Sequence, residues 1–212
     1  MAMLRAREVV TGLCKRMLPD GLGVGSAGNI SARQGDEILI TPRGVQYDVL
    51  QPHMLCVVDP DGGPVEAERT PSTDTSLHLA VYRGTDAGGV VHTHSRYAAA
   101  LGCLTDELPR VHYLMADLGG PVAVVPYGPT ESAETQRGVL AALAGRSAVL
   151  LGNHGALTVG DSPQDAYRRA VYLEWVAGVW FACRSLGEPT LLSQDDLAQV
   201  GRLLEGYFDE GR

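Results

Sequence analysis

His92 and His94 flank Thr93 at the end of an apolar run led by Val90 and Val91, and His154 lies in the turn-like segment Gly152-Asn153-His154-Gly155. Side chains alternate across a strand, so histidines two positions apart point to one face. A third imidazole from a distant turn completes a set of three nitrogens. Such a set suits Zn²⁺ or a similar divalent ion and leaves a coordination position open for a substrate. Each histidine taken alone is equally a structural hydrogen-bonding group.

A second cluster runs from Pro71 to His78. A helix is predicted over 74–83, with Ser72 or Thr73 as its cap and Leu77, Val81 and Tyr82 as its apolar stripe. On that reading Asp74 is simply a helix-start residue. The same geometry makes Ser72, Thr73 and the free N–H groups of the first turn an anion pocket. A carboxylate beside that pocket is placed to accept a proton or bind a metal. Two further loops, 25–31 and 40–44, have small residues that let backbone amides approach a phosphate, and Arg43 adds charge there.

Together these segments resemble the class II aldolase/adducin family. The matching elements are Gly28-Asn29-Ile30-Ser31, Thr41-Pro42-Arg43-Gly44, Pro71-Ser72-Thr73-Asp74, His92-Thr93-His94 and Gly152-Asn153-His154-Gly155. The likeness runs from about residue 5 to 208. It implies zinc on His92, His94 and His154, and a substrate phosphate held by Asn29, Arg43, Gly44, Ser72 and Thr73. It places Asp74 where the family's aldolases carry a proton-moving glutamate. It also implies that Tyr113 and Tyr207 reach a neighbouring subunit's site, in a homotetramer with active sites at its interfaces.

The implied reaction is zinc-dependent cleavage of a ketose 1-phosphate, of the fuculose-1-phosphate kind, to dihydroxyacetone phosphate and an aldehyde. Zinc would polarise the carbonyl and stabilise the enediolate left when the C3–C4 bond breaks. A pentulose-phosphate 4-epimerase is the alternative, and another sugar-phosphate lyase or dehydratase of the family a further one. Asp117 falls where the epimerases carry an acid–base aspartate, and Asp74 is also epimerase-like. Tyr113 and the segment 119–127 read more like an aldolase. Arg43 departs from the aldolase pattern, which has threonine there, and Asp74 is one methylene shorter than glutamate.

Composition fits such an enzyme. The chain has 212 residues, 45% of them hydrophobic, enough for one domain with a full core over 1–212. A formal charge of −8 argues against a general nucleic-acid binder. No apolar stretch approaches the roughly 18 residues that span a bilayer. The charged N-terminus is unlike a secretory signal. Cys14, Cys56, Cys103 and Cys183 have no metal-site spacing and read as reduced thiols of a cytoplasmic protein.

A single α/β layered domain is expected, with a central, mostly antiparallel sheet flanked by helices. Helices are predicted near 3–18, 74–83 and 131–143, and strands near 27–33, 37–41, 54–58, 121–126, 147–152 and 155–160, besides the His92 strand. Ser162 and Pro163 open a long last helix with an apolar stripe of Ala166, Ala170, Leu173, Ala177 and Trp180. Trp175, Trp180 and Phe181 are expected in the core or a subunit interface. Glu174 is a candidate partner for a zinc histidine, or a solvated or interface group. His53, His78 and His112 are expected to be structural.

Overall fold

The computed structural model describes the backbone of residues 1–209 and the side chains of residues 1–204. It opens with helix α1 (Ala2–Met17), then strands β1 (Asn29–Gln34), β2 (Glu37–Ile40), β3 (Cys56–Val58) and β4 (Pro64–Glu66). Helix α2 (Thr75–Gly84) leads into β5 (Gly89–Thr93), followed by α3 (Arg96–Gly102) and β6 (Glu107–Leu108). The chain continues through β7 (Val122–Val125), α4 (Ala133–Ala142), β8 (Ala148–Leu151), β9 (Gly155–Gly160), α5 (Pro163–Leu186) and α6 (Gln194–Asp209).

The nine strands form one sheet in the order β4-β3-β2-β1-β5-β9-β8-β7-β6. Only β7 and β8 run parallel; every other neighbouring pair is antiparallel. The mostly antiparallel layered α/β expectation is therefore met. β5, which carries His92 and ends one residue before His94, is the central strand and is buried along its whole length. Strands buried on both faces read as continuous apolar runs, as Val90 and Val91 do.

Alternation divides the core between two faces. Ile30, Ala32 and Val91 pack with α1 and the first half of α5. Val90, Leu157 and Val159 point the other way, toward α2 and α4. Ala148, Leu150 and Ala156 pack with α3, the middle of α5 and Leu197 of α6. Each fully buried valine, leucine or isoleucine among them contributes roughly 2 kcal/mol of hydrophobic stabilisation.

The last long helix starts as expected: the Ser162 hydroxyl accepts from Asp165 N–H at 3.2 Å, with Pro163 in the first turn. Ala166, Ala170, Leu173 and Ala177 are its buried stripe, and Trp180 is partly buried. Trp175 and Phe181 stay outside the core of this chain, at 61% and 47% exposure. Four elements go beyond the sequence expectation: β4, β6, α3 and α6. The α6 start had a legible signal, since Ser193 and Asp196 form a reciprocal cap. The seven-residue α3 had none, because the group that caps it comes from α5. Among the described residues no helix is long and apolar enough to cross a membrane.

Candidate metal centre and active site

His92 faces Asn29 of β1 and Leu157 of β9 across the ladder. Its Nδ1 lies 2.9 Å from the Ala156 carbonyl, which can only accept, so Nδ1 carries the proton and Nε2 keeps its lone pair. That Nε2 is 3.0 Å from Nε2 of His94, and the candidate ligand atoms of His92, His94 and His154 all lie within 4.8 Å of one another. Nitrogens around a tetrahedral zinc are about 3.3 Å apart, so three imidazoles this near one another could close on a divalent ion. Burial holds the His92 pKa down near 3 and lowers that of His94, so both rings are neutral, the form that ligates.

His154 reaches the other two through a three-residue connection between β8 and β9. Asn153 takes a positive φ of 53° there, a conformation that asparagine tolerates. Gly155 then has no choice of residue: a Cβ would sit 2.0 Å from the Thr93 carbonyl. Backbone contact at that point draws His154 against the β5 pair. Gly28, at φ 91°, allows the matching approach from the β1 side, where a Cβ would lie 2.9 Å from the His92 carbonyl.

Asp74 precedes α2 but makes no side-chain cap to it, and neither Ser72 nor Thr73 is the capping residue. The carboxylate turns away from its own helix. Oδ2 accepts from Asn29 Nδ2 at 2.7 Å, and Oδ1 accepts from the Thr130 hydroxyl at 2.8 Å. Oδ2 also lies 3.9 Å from His92 Nε2. Burial works to raise the Asp74 pKa and the hydrogen bonds donated by Thr130 and Asn29 work to lower it; it lies below the usual carboxylate value, so the group stays ionised. Asp74 is thus the helix-start residue by position, while its carboxylate is held beside the three histidines.

The three loops singled out in the sequence converge. Asn29, Arg43, Gly44, Ser72, Thr73, Asp74, His94 and His154 line a single cavity of about 270 Å³, and His92 lies fully buried at its back. Tyr47, not picked out from sequence, donates to the Gly28 carbonyl and fixes the loop at the rim. Thr130 was also missed. It sits in a loop after β7, 56 residues from Asp74, and no local pattern links the two.

Asp117 and Tyr113 stand elsewhere. Asp117 does not line the cavity; it is held between Arg168 at 3.2 Å and Arg169 at 3.3 Å. Tyr113 is 50% exposed and also outside the lining of this chain's cavity. The side chain of Tyr207 lies outside the described residues. Glu174, partly buried, bonds none of the three histidines. Its two oxygens accept from the Tyr97 and Ala98 N–H groups, each at 2.9 Å, and so cap α3. His112 is structural, accepting from Leu114 N–H at 3.3 Å.

Fold and site together define an aldehyde-lyase of the class II type. The family described as Class II Aldolase and Adducin N-terminal domain matches residues 8–181, and the chain belongs to it. A relative from Bacillus thuringiensis serovar kurstaki, named 5-deoxy-D-ribulose 1-phosphate aldolase, is 34% identical over 98% of this chain and 99% of its own. One from Rhodospirillum rubrum, named 5-methylthioribulose-1-phosphate/5-deoxyribulose-1-phosphate aldolase, is 36% identical over 91% of this chain and 87% of its own. Among solved structures, an L-fuculose 1-phosphate aldolase superposes with a TM-score of 0.90 at 28% identity, over 95% of this chain and 96% of that one.

Proposed function

We propose that the protein is a zinc-dependent aldolase that cleaves a ketose 1-phosphate to dihydroxyacetone phosphate and an aldehyde. The observation that carries this reading is the ionised Asp74 beside three converging imidazoles, at one end of a polar cavity. Relatives named for 5-deoxyribulose 1-phosphate and a structural neighbour named for fuculose 1-phosphate support a substrate of this class.

In this mechanism the phosphate is held by Arg43, the Ser72 and Thr73 hydroxyls and the backbone near Gly44, where positive charge and donors meet. His92, His94 and His154 hold the ion, and zinc, when bound, supplies the Lewis acidity that stabilises charge on the substrate's carbonyl oxygen. Asp74 carries the proton to and from the C3 carbon of the three-carbon product. Its hydrogen bonds to Asn29 and Thr130 aim the carboxylate and keep it from capping α2. Tyr113 of an adjacent subunit, with Tyr207, meets the aldehyde end in a homotetramer. A mostly polar pocket with a few fixed groups is a reasonable seat for a small sugar phosphate.

The position of Asp117 favours the aldolase over the epimerase alternative. Two guanidinium groups hold it, so it is not free to exchange protons in the cavity of its own chain. The test is synthesis: zinc-loaded protein with dihydroxyacetone phosphate and a panel of small aldehydes. Formation of a ketose 1-phosphate is expected. Failure with every aldehyde, together with 4-epimerisation of a pentulose 5-phosphate, would reverse the assignment.

A further inference from the structure

The face of β1 that carries Asn29 meets one face of α2 as a polar ladder. Successive same-face residues on a strand are about 6.6 Å apart, and one helical turn advances 5.4 Å, so the two repeats nearly match. Asn29 bonds Asp74 at 2.7 Å. Two residues on, Ser31 Oγ contacts His78 Nδ1 at 2.6 Å and the Tyr82 hydroxyl at 2.8 Å, one and two turns along α2. Two residues further, the Arg33 guanidinium donates to the Tyr82 and Thr85 carbonyls at the end of the helix.

The ladder has two gaps. Asn29 Oδ1 and His78 Nε2 are buried and have no hydrogen-bond partner. Both belong to adjacent rungs of one interface, and one unmet group is an acceptor. We propose that His78 is a positioning residue: its Nε2–H serves the unmet Asn29 Oδ1 through one bridging water, and so turns the Asn29 amide hydrogens onto Asp74. This inference rests on the reading of Asp74 as the proton carrier.

In this proposal the Tyr82 hydroxyl donates to Ser31 Oγ, the direction that leaves the Ser31 hydrogen for His78. Ser31 then donates to His78 Nδ1, and a neutral ring must carry its one proton on Nε2. Burial keeps that ring neutral, with its pKa pushed down to about 4. An asparagine amide has two orientations, and only one presents hydrogens to an ionised carboxylate. The His78 donor stabilises that one. The opposite orientation would set the amide oxygen against Asp74 and leave the amide hydrogens facing the His78 N–H. Helix α2 thus fixes its own first residue's neighbour through a side chain one turn later.

The test uses two amide replacements and one spectrum. In H78Q the amide nitrogen falls near the Nε2 position, whereas in H78N it falls near Nδ1 and keeps only the contact with Ser31. H78N should lose about 10- to 100-fold in kcat with little change in KM, the range for removing a partner that orients a reacting group. H78Q should keep most of kcat. Equal activity of the two variants would overturn the proposal. Nitrogen-15 NMR of the metal-free protein, with His78 assigned by its loss in H78Q, should show the proton on Nε2. A proton on Nδ1 would overturn it without reference to catalysis. D74N serves as the control: an active D74N would remove the proton-carrier reading while leaving the tautomer result intact.

Discussion

Asp74 Oδ2 lies 3.9 Å from His92 Nε2, yet each group takes its short hydrogen bonds elsewhere, Asp74 from Asn29 and Thr130 and His92 to the Ala156 carbonyl. The pair is set as a carboxylate beside a neutral imidazole with a free lone pair. That is the arrangement a metal ligand and an adjacent proton carrier require.

D74N should therefore lower kcat by about 10²- to 10⁴-fold while bound zinc stays near one per chain. T130V removes one of the two donors and should cost less, about tenfold at most, since Asn29 still holds the other oxygen. Steady-state kinetics with metal analysis checks both. Loss of zinc from D74N would make the carboxylate a ligand.

His92→Ala, His94→Ala and His154→Ala should each strip most zinc and abolish activity. His92→Ala should also destabilise the metal-free fold most, because that ring is fully buried whereas the other two line the cavity. Stoichiometric metal with near-normal turnover in any of the three would remove that histidine from the ligand set. Zinc content and circular dichroism of the purified variants decide.

Asp117→Asn should act on stability instead of chemistry. It leaves Arg168 and Arg169 short of their shared carboxylate, a loss of about 3 kcal/mol for a largely buried network. Urea unfolding measures that cost, and kcat per folded molecule should change far less than in D74N. A kcat loss as severe as that of D74N would favour the epimerase.

The metal-free protein should lose stability on mild acidification. His78 has a folded pKa of about 4 against 6.5 in the unfolded chain, so between those values the unfolded state binds more protons. Its contribution is fully present above 6.5 and declines as pH falls toward 4. At pH 5 the decline amounts to about 2 kcal/mol from this group. Unfolding free energies from urea titrations at pH 7 and pH 5 should differ less in H78Q than in the wild type by that amount. An identical pH dependence in both proteins would contradict the neutral buried ring.

Size in solution should be near four times 22.5 kDa. Tyr113, exposed and outside its own chain's cavity lining, should act across an interface. Protein carrying Tyr113→Phe and protein carrying His94→Ala, each nearly inactive, should regain part of the activity after joint dissociation and reassembly. An active monomer, or no recovery from mixed rings, would refute the shared site.

Local spacing made much of this protein legible. The valine run and the His-Thr-His alternation gave a buried strand with two rings on one face, and Ser162 with Pro163 gave the start of α5. Loops rich in small residues marked the segments that line the cavity, because close backbone approach restricts residue type. Tertiary structure decided the rest. Thr130 and Asn29 reach Asp74 from other elements, Glu174 caps α3 from α5, and Asp117 is held by two arginines of α5. None of these leaves a local trace, because a polar side chain is free to satisfy a buried partner from any point that the fold brings within about 3 Å. Residue type and spacing set which groups were available for chemistry; packing β1 against α2, and β9 against β5, brought the ones that meet together.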